Sequence, residues 1–379
     1  MTATLYAYAF LDEFVLLYPV YVLLMADSGL SVGQISSLFV LWSLTGVLLE
    51  VPSGAWADAV SRRLLLWLGP LLGGAGFALW VLFPSYWAFA AGFVLWGARG
   101  ALGSGALEAL VYEELDRAGA ADRYARIMGR AHAVGQAAVM AAMGLAGPVF
   151  ALGGYPAVGA ASVLACLLCA ATATRFPEHR SPDAEADEGL AATLRDGLAG
   201  VRRDRGVLGA LLLVPAVTAV WSALDEYTSL LVRETGVPDA AVPYLLVVIW
   251  AGVTAGSLLS GRAERLDGSG LAVLLAGAAL ALAAGALTGK PAGIVLVALA
   301  FGGFQLATVL ADVRLQQCID GAGRATVTSV AGLGTELLTI GVYGAYGALG
   351  SVFSHGAVFA LCAVPYLVTA LIVAVGRRK

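Results

Sequence analysis

The sequence predicts an all-α membrane protein, with twelve transmembrane helices in two pseudo-symmetric six-helix halves. Three observations carry that prediction. The chain is 60% hydrophobic and 13% charged, with a mean hydropathy of +0.85, where a soluble domain carries roughly 25% charged residues. Its apolar residues fall into runs of spanning length, roughly 20 residues each, six before and six after one long polar stretch. The two sets of six also share a sparse sequence repeat.

In chain order the runs lie near 5–26, 33–57, 64–83, 86–112, 125–151 and 155–175, then near 207–232, 241–261, 270–288, 291–317, 325–350 and 355–376. The halves are therefore 1–175 and 207–379, joined by a linker at 176–206. Within the linker, 189–204 (GLAATLRDGLAGVRRD) has apolar residues at helical spacing and is expected to lie on the membrane surface. No basic segment precedes the first run, which carries Asp12 and Glu13, so it reads as a true span rather than a cleaved signal.

Arginines orient the chain. Arg62 and Arg63, then Arg117, Arg123 and Arg126, then five between Arg180 and Arg205 fall in alternate loops. Arg262, Arg265, Arg324 and the tail continue that side, and the opposite loops hold only Arg233 and Lys290. Both termini and the linker are thus expected in the cytoplasm. Only two of the 22 basic residues are lysine, and Ala and Gly abound, which suits a GC-rich bacterial gene and a bacterial inner membrane.

The net charge of −4 argues against a nucleic-acid partner. Cys166, Cys169, Cys318 and Cys362 lie in apolar runs without polar flanks, as packed thiols rather than metal ligands or disulfides. No Ser-His-Asp set, metal cluster or nucleotide loop appears, so neither an enzyme nor a cofactor is expected. The expected partners are a small-molecule substrate, protons and the lipid bilayer, with the chain acting as a monomer.

The repeat is read from particular residues. LDEF at 11–14 returns as LDEY at 224–227, Gly54 aligns with Gly261, Glu108 with Asp312, Asp116 with Asp320 and Arg123 with Arg324. The offset shrinks from 213 to 201 in steps that loops absorb. Between such halves, near the bilayer midplane, transporters hold their substrates.

Between the second and third runs, Glu50 to Arg63 reads EVPSGAWADAVSRR and is expected to form a short turn. Gly54, Ala57, Asp58, Arg62 and Arg63 resemble the G-x-L-A-D-R-x-G-R-R loop of major facilitator transporters, departing from it at Trp56, Ala59 and Ser61. In the fourth run, Arg99-Gly-Ala-Leu-Gly103-Ser-Gly105-Ala106 is similar to that family's R-x-x-Q-G-x-G-A, with Leu102 replacing Gln. The fifth holds Gly144, Gly147 and Pro148, then Gly153 and Gly154 two residues later than the antiporter pattern G-P-x-x-G. The resemblance implies the major facilitator fold, alternating access, and an Arg99 tied to proton coupling.

Charges inside the spans mark the remaining candidates. Asp12 and Glu13 fall near the middle of the first span, and Asp225 and Glu226 at the matching place in the seventh, beside Thr218, Trp221, Ser222, Thr228 and Ser229. Adjacent residues point about 100° apart on a helix, so at most one of each pair faces a cavity squarely. Eight acids (these four with Glu50, Glu108, Asp312 and Glu336) stand against Arg99, Arg130, Arg314 and His132. Some acids must then be protonated, wet or awaiting a cation. Glu50, Glu108 and Asp312, near cytoplasmic ends, are expected to pair with Arg62, Arg130 or Arg314 as a gate, while His132 and Gln136 share one helix face. The resulting expectation is a proton-coupled exporter of cationic or amphipathic molecules, with import of a small polar or anionic nutrient as the alternative. A membrane sensor or enzyme stands further off.

Overall fold

The computed structural model describes residues 1–59, 61–103, 105–177, 205–263, 266–319 and 324–375, and the side chains of all of these except 50–59, 205 and 324–326. The expected surface helix at 189–204 lies outside them. The chain separates into two compact units, Met1–Ala186 and Asp187–Lys379.

In the first unit the chain runs through α1 (Thr2–Glu13), α2 (Tyr21–Asp27), α3 (Val32–Ala59), α4 (Arg62–Leu82), α5 (Tyr86–Gly103), α6 (Ala106–Arg117) and α7 (Tyr124–Ala173). The first span is broken. Residues 14–20 leave the helix between α1 and α2, beside Pro19, which lacks an N–H and disfavours helical backbone at the residue before it. The fourth span breaks at Gly105, whose φ of +72° suits glycine alone, so α5 and α6 form one interrupted crossing. Conversely α7 is two spans. Its backbone is non-helical at Gly153 and Gly154, with Pro156 just beyond, so the fifth and sixth crossings meet where the sequence placed their boundary.

The second unit holds α8 (Arg205–Asp225), α9 (Thr228–Glu234), α10 (Val242–Ala263), α11 (Gly268–Leu287), α12 (Gly293–Cys318), α13 (Arg324–Leu349), α14 (His355–Leu361) and α15 (Ala363–Val375). Its first span is broken too, at Glu226 and Tyr227, where the Thr228 hydroxyl donates to the Asp225 carbonyl at 2.6 Å. Among the described residues eight helical segments are by themselves long and apolar enough to cross a membrane, and joining each interrupted crossing while dividing α7 in two gives twelve spans.

Packing repeats between the units. The first span lies on the fifth, the second on the fourth, and the third on both the fourth and the sixth: α1 on α7, α3 on α5, α4 on α5 and α7, against α8 on α13, α10 on α12, α11 on α12 and α15. In lipid no hydrophobic force drives helices together, so small residues that let backbones approach hold such crossings. Gly252 and Gly256 of α10 meet Ala298 and Gly302 of α12 backbone to backbone, leaving no room for a Cβ. Aromatic rings fill the equivalent region of the first unit, with Trp42 stacked on Trp96 at 4.7 Å and Tyr21 on Trp80 at 5.7 Å.

One expectation is corrected here. The stretch from Glu50 is not a turn: α3 continues through Ala59, and α4 opens at Arg62 behind the Ser61 hydroxyl, which accepts from Leu64 N–H at 3.1 Å. Ala-rich sequence with no glycine after Gly54 lets the helix run on past the membrane's apolar core.

Candidate functional site

A cavity of about 390 Å³ opens among α1, α4, α5, α6 and α7, lined only by residues of the first unit. That is room for a small organic molecule. Its polar lining is Asp12, Glu13, Arg99, Glu108, His132 and Gln136. Six of the residues singled out from sequence are thus brought to one space.

Asp12 and Glu13 end α1, where the helix dipole presents partial negative charge. Acids are disfavoured there unless a cation answers them. Arg99 does so twice: one terminal nitrogen (Nη2) donates to the Asp12 carboxylate at 2.6 Å and to the Asp12 backbone carbonyl at 2.9 Å. The guanidinium therefore caps the helix and neutralises its carboxylate together. Arg99 is deeply enclosed, its side chain 10% exposed against 30% for Asp12. Glycines of α4 make its channel. A Cβ on Gly73 would sit 2.9 Å from Arg99 Cδ, and one on Gly69 would sit 3.6 Å from its Cγ. The Cys169 thiol lies 3.7 Å from the same carboxylate oxygen.

Glu13 is placed otherwise. Its stem passes Gly135 on α7, where a Cβ would come within 3.3 Å of Glu13 Cγ. Among the described residues its carboxylate forms neither a hydrogen bond nor an ion pair, and it lies in the fields of Asp12, Arg99 and His132. The cavity thus carries three carboxylates (Asp12, Glu13, Glu108) against one guanidinium and an imidazole. Tyr18, stacked on Trp96 at 5.3 Å, supplies an aromatic wall.

In the second unit, Asp225 ends α8 and Glu226 opens the break, whereas Asp12 and Glu13 both lie within the last turn of α1. Trp221, one turn earlier, donates its indole N–H to Thr308 Oγ1 at 3.2 Å, and Thr218 bonds the same hydroxyl at 3.2 Å. Tyr343 on α13 stands in the fields of Glu226, Asp225 and Glu336.

The gate candidates are scattered. Glu50, Gly54 and Asp58 fall in α3, with their side chains outside those described. Arg62 pairs with Glu113 of α6 at 2.5 Å, an acid that the sequence reading passed over, and Arg63 reaches the Phe176 carbonyl at 3.5 Å. Arg314 donates to the Leu266 carbonyl at 2.9 Å, while Asp312 is exposed and Arg130 also points into the open. Sequence reasoning also missed Tyr8, Tyr18, Trp96 and Cys169. Tyr8 had a signal, since it precedes Asp12 by one helical turn, and its hydroxyl spans to the Leu66 carbonyl of α4 at 3.2 Å.

Over residues 2–354 the chain matches the sequence model of the Major Facilitator Superfamily. No curated protein matches it in sequence. Several solved structures share its shape. A crystal structure of a point mutant of the nucleoside transporter NupG has a TM-score of 0.78 at 13% identity, covering 99% of each chain. An auto-inhibited POT family peptide transporter gives 0.73 at 13%, over 100% of this chain and 96% of that one. A bacterial homolog of the human lysosomal transporter Spinster gives 0.66 at 16%, over 99% and 93%. At such identities the likeness is one of fold.

Proposed function

This chain belongs to the Major Facilitator Superfamily and is a multi-pass membrane transporter of a small molecule, and we propose that it exports cationic or amphipathic organic molecules in exchange for protons. The halves 1–175 and 207–379 would work by alternating access, with both termini in the cytoplasm of a bacterial cell. The observation that carries the proposal is the state of Glu13. Arg99 Nη2 is taken by Asp12, so Glu13, at the break in the first span, forms no direct ion pair among the described residues. An uncompensated carboxylate in a span is costly and calls for a proton or a cation. Both are what an exchanger trades. The Tyr18 and Trp96 faces beside it suit an organic cation, which an aromatic ring attracts by about 0.5–2 kcal/mol.

In this reading Glu13 and one of Asp225 and Glu226 carry protons or the cation, Asp12 and Arg99 hold the break in the first span, and Arg62 with Asp58 forms part of a cytoplasmic gate. Uptake of a polar nutrient is the second reading. The NupG and POT structures share this fold, and Arg99 would then hold an anionic group. Purified protein in vesicles, with a pH gradient imposed in either direction, separates the two. Tetraphenylphosphonium should move against the proton flow and lose its drive when the gradient is collapsed. Gradient-driven movement of a nucleoside or peptide in the direction of the protons, with none of the cation, would sink the export proposal.

A further inference from the structure

Each unit carries a hydroxyl on its sixth span that is fully buried and bonded to the backbone of the first span. In the first unit, Ser162 Oγ accepts from the Leu17 N–H at 3.0 Å while donating to the Val158 carbonyl of its own helix at 2.7 Å. In the second, the Tyr366 hydroxyl accepts from the Trp221 N–H at 2.7 Å and donates to the Val217 carbonyl at 3.3 Å. Both residues are 0% exposed. The hydroxyls stand 204 positions apart in the chain and so do the two amides, the offset that also aligns Glu108 with Asp312. The two amides lie on opposite sides of their acidic pairs, so the units share the tie between first and sixth spans and differ in where it falls.

Each tie answers a local need. Leu17 lies in the non-helical stretch 14–20, where its N–H has no helical carbonyl to use, and an amide left unmet in a dry interior is costly. Tyr366 takes up both polar groups of the 217–221 rung of α8, and a side chain placed in that ladder is a recognised cause of a helix bend. Its ring is fixed by stacking on Phe304 at 3.8 Å. Leu17 follows Glu13 by four residues, and Trp221 precedes Asp225 by four. Each hydroxyl therefore grips the backbone one turn from an acidic pair.

We infer that Ser162 and Tyr366 are positioning residues: each holds the interrupted first span of its unit so that the acidic pair stands where it takes up and releases a proton. The inference rests on the reading of those pairs as proton sites. Around Asp225 and Glu226 the ionisable groups among the described residues include Tyr227 in the break and Tyr343 and Glu336 of α13, while α12 and α15 offer the uncharged Thr308 and Phe304 and the Tyr366 hydroxyl itself. Around Asp12 and Glu13 they are Tyr8 of α1, Arg99 of α5, and His132, Cys166 and Cys169 of α7, with Tyr18 in the break. None of these contacts Ser162 or Tyr366 by a hydrogen bond among the described residues, so removing either hydroxyl acts through the backbone.

Tyr366→Phe keeps the ring and its stack and removes one oxygen. Ser162→Ala does the same in the first unit, and Ser162→Thr restores a hydroxyl. In the purified full chain, the carboxyl infrared band that Asp225→Asn or Glu226→Gln abolishes is titrated by difference spectroscopy, as is the band that Glu13→Gln abolishes. Tyr366→Phe should displace the first midpoint by about half a pH unit or more, with little change in unfolding temperature. Ser162→Ala should displace the second and Ser162→Thr should return it. Unmoved midpoints in both folded variants would overturn the inference. Gradient-driven uptake of tetraphenylphosphonium should slow about threefold in each variant, which is roughly 0.65 kcal/mol. If the unaltered protein moves no such cation, the export proposal falls and the infrared titrations still decide the role of the hydroxyls.

Discussion

In the first unit the end of α1 is capped by a guanidinium, with Arg99 reaching the Asp12 carboxylate at 2.6 Å and the Asp12 carbonyl at 2.9 Å. In the second the end of α8 is capped by a hydroxyl, Thr228 donating to the Asp225 carbonyl at 2.6 Å. The helix that corresponds to α5 offers no base at the matching place. At the repeat offsets of 204 to 207, Arg99 aligns with 303–306, which read Gly-Phe-Gln-Leu, and Gln305 is engaged by Ser257 at 3.0 Å. Arg233 of that unit goes to Asp239 at 2.8 Å and Arg314 to a backbone carbonyl. The same acidic motif near a helix end thus meets a guanidinium at Asp12 in one unit and a hydroxyl at the Asp225 carbonyl in the other. Repeated sequence has been given two different caps.

The comparison breaks most visibly at Arg99. Arg99→Ala leaves Asp12 unpaired at a helix C-terminus and should cost about 2–4 kcal/mol, less than a fully dry pair because Asp12 is partly exposed. Adding Asp12→Asn should recover much of that loss. Thermal unfolding of both single variants and the double variant checks it, and strictly additive losses would mean that the pair is not coupled.

Asp225→Asn and Glu226→Gln should behave the opposite way. Both changes keep the Thr228 cap on the Asp225 carbonyl, so folded yield should hold. Proton-driven cation transport should fall about tenfold in at least one of them, or about 1.4 kcal/mol. Detergent-solubilised yield and vesicle uptake, measured together, tell this from a folding defect. Two variants that lose folding as Arg99→Ala does would erase the contrast between the units.

Space beside each charge gives a finer test. Gly73→Ala puts a methyl 2.9 Å from Arg99 Cδ and should destabilise by about 1–2 kcal/mol, because the enclosed guanidinium must shift. Gly135→Ala, at 3.3 Å from the stem of Glu13, should cost less than about 1 kcal/mol in stability yet alter apparent affinity for tetraphenylphosphonium. Equal unfolding temperatures for the two would show that Arg99 has more freedom than its enclosure implies.

The smallest effect is expected at Arg62. Its partner Glu113 is 47% exposed, so Glu113→Gln should change stability by about 0.5 kcal/mol or less. A larger loss in a denaturation series would promote that pair from surface contact to gate.

Much of this was legible in the chain. Apolar runs near 20 residues report spans because backbone polar groups in lipid must be met within the segment. The repeated LDEF and LDEY marked the acidic pairs, and the membrane arginine announced a partner, since a lone guanidinium at that depth is too costly to leave unanswered. What periodicity could not show was interruption. Residues 14–20 and 226–227 are as apolar or as ordinary as helix, and only the packed structure shows the Leu17 amide met by Ser162 and the Asp225 carbonyl met by Thr228.

Sequence by itself therefore determined the twelve spans, the six-and-six division and which charges needed an explanation, because transfer from water to lipid acts on each residue where it stands. Tertiary structure alone decided that Asp12 rather than Glu13 takes Arg99, that Arg62 turns to Glu113, and that two hydroxyls hold the broken spans. Those choices join residues up to 149 positions apart, and only the packed helices bring a donor within hydrogen-bond reach of one acceptor and not of its neighbour.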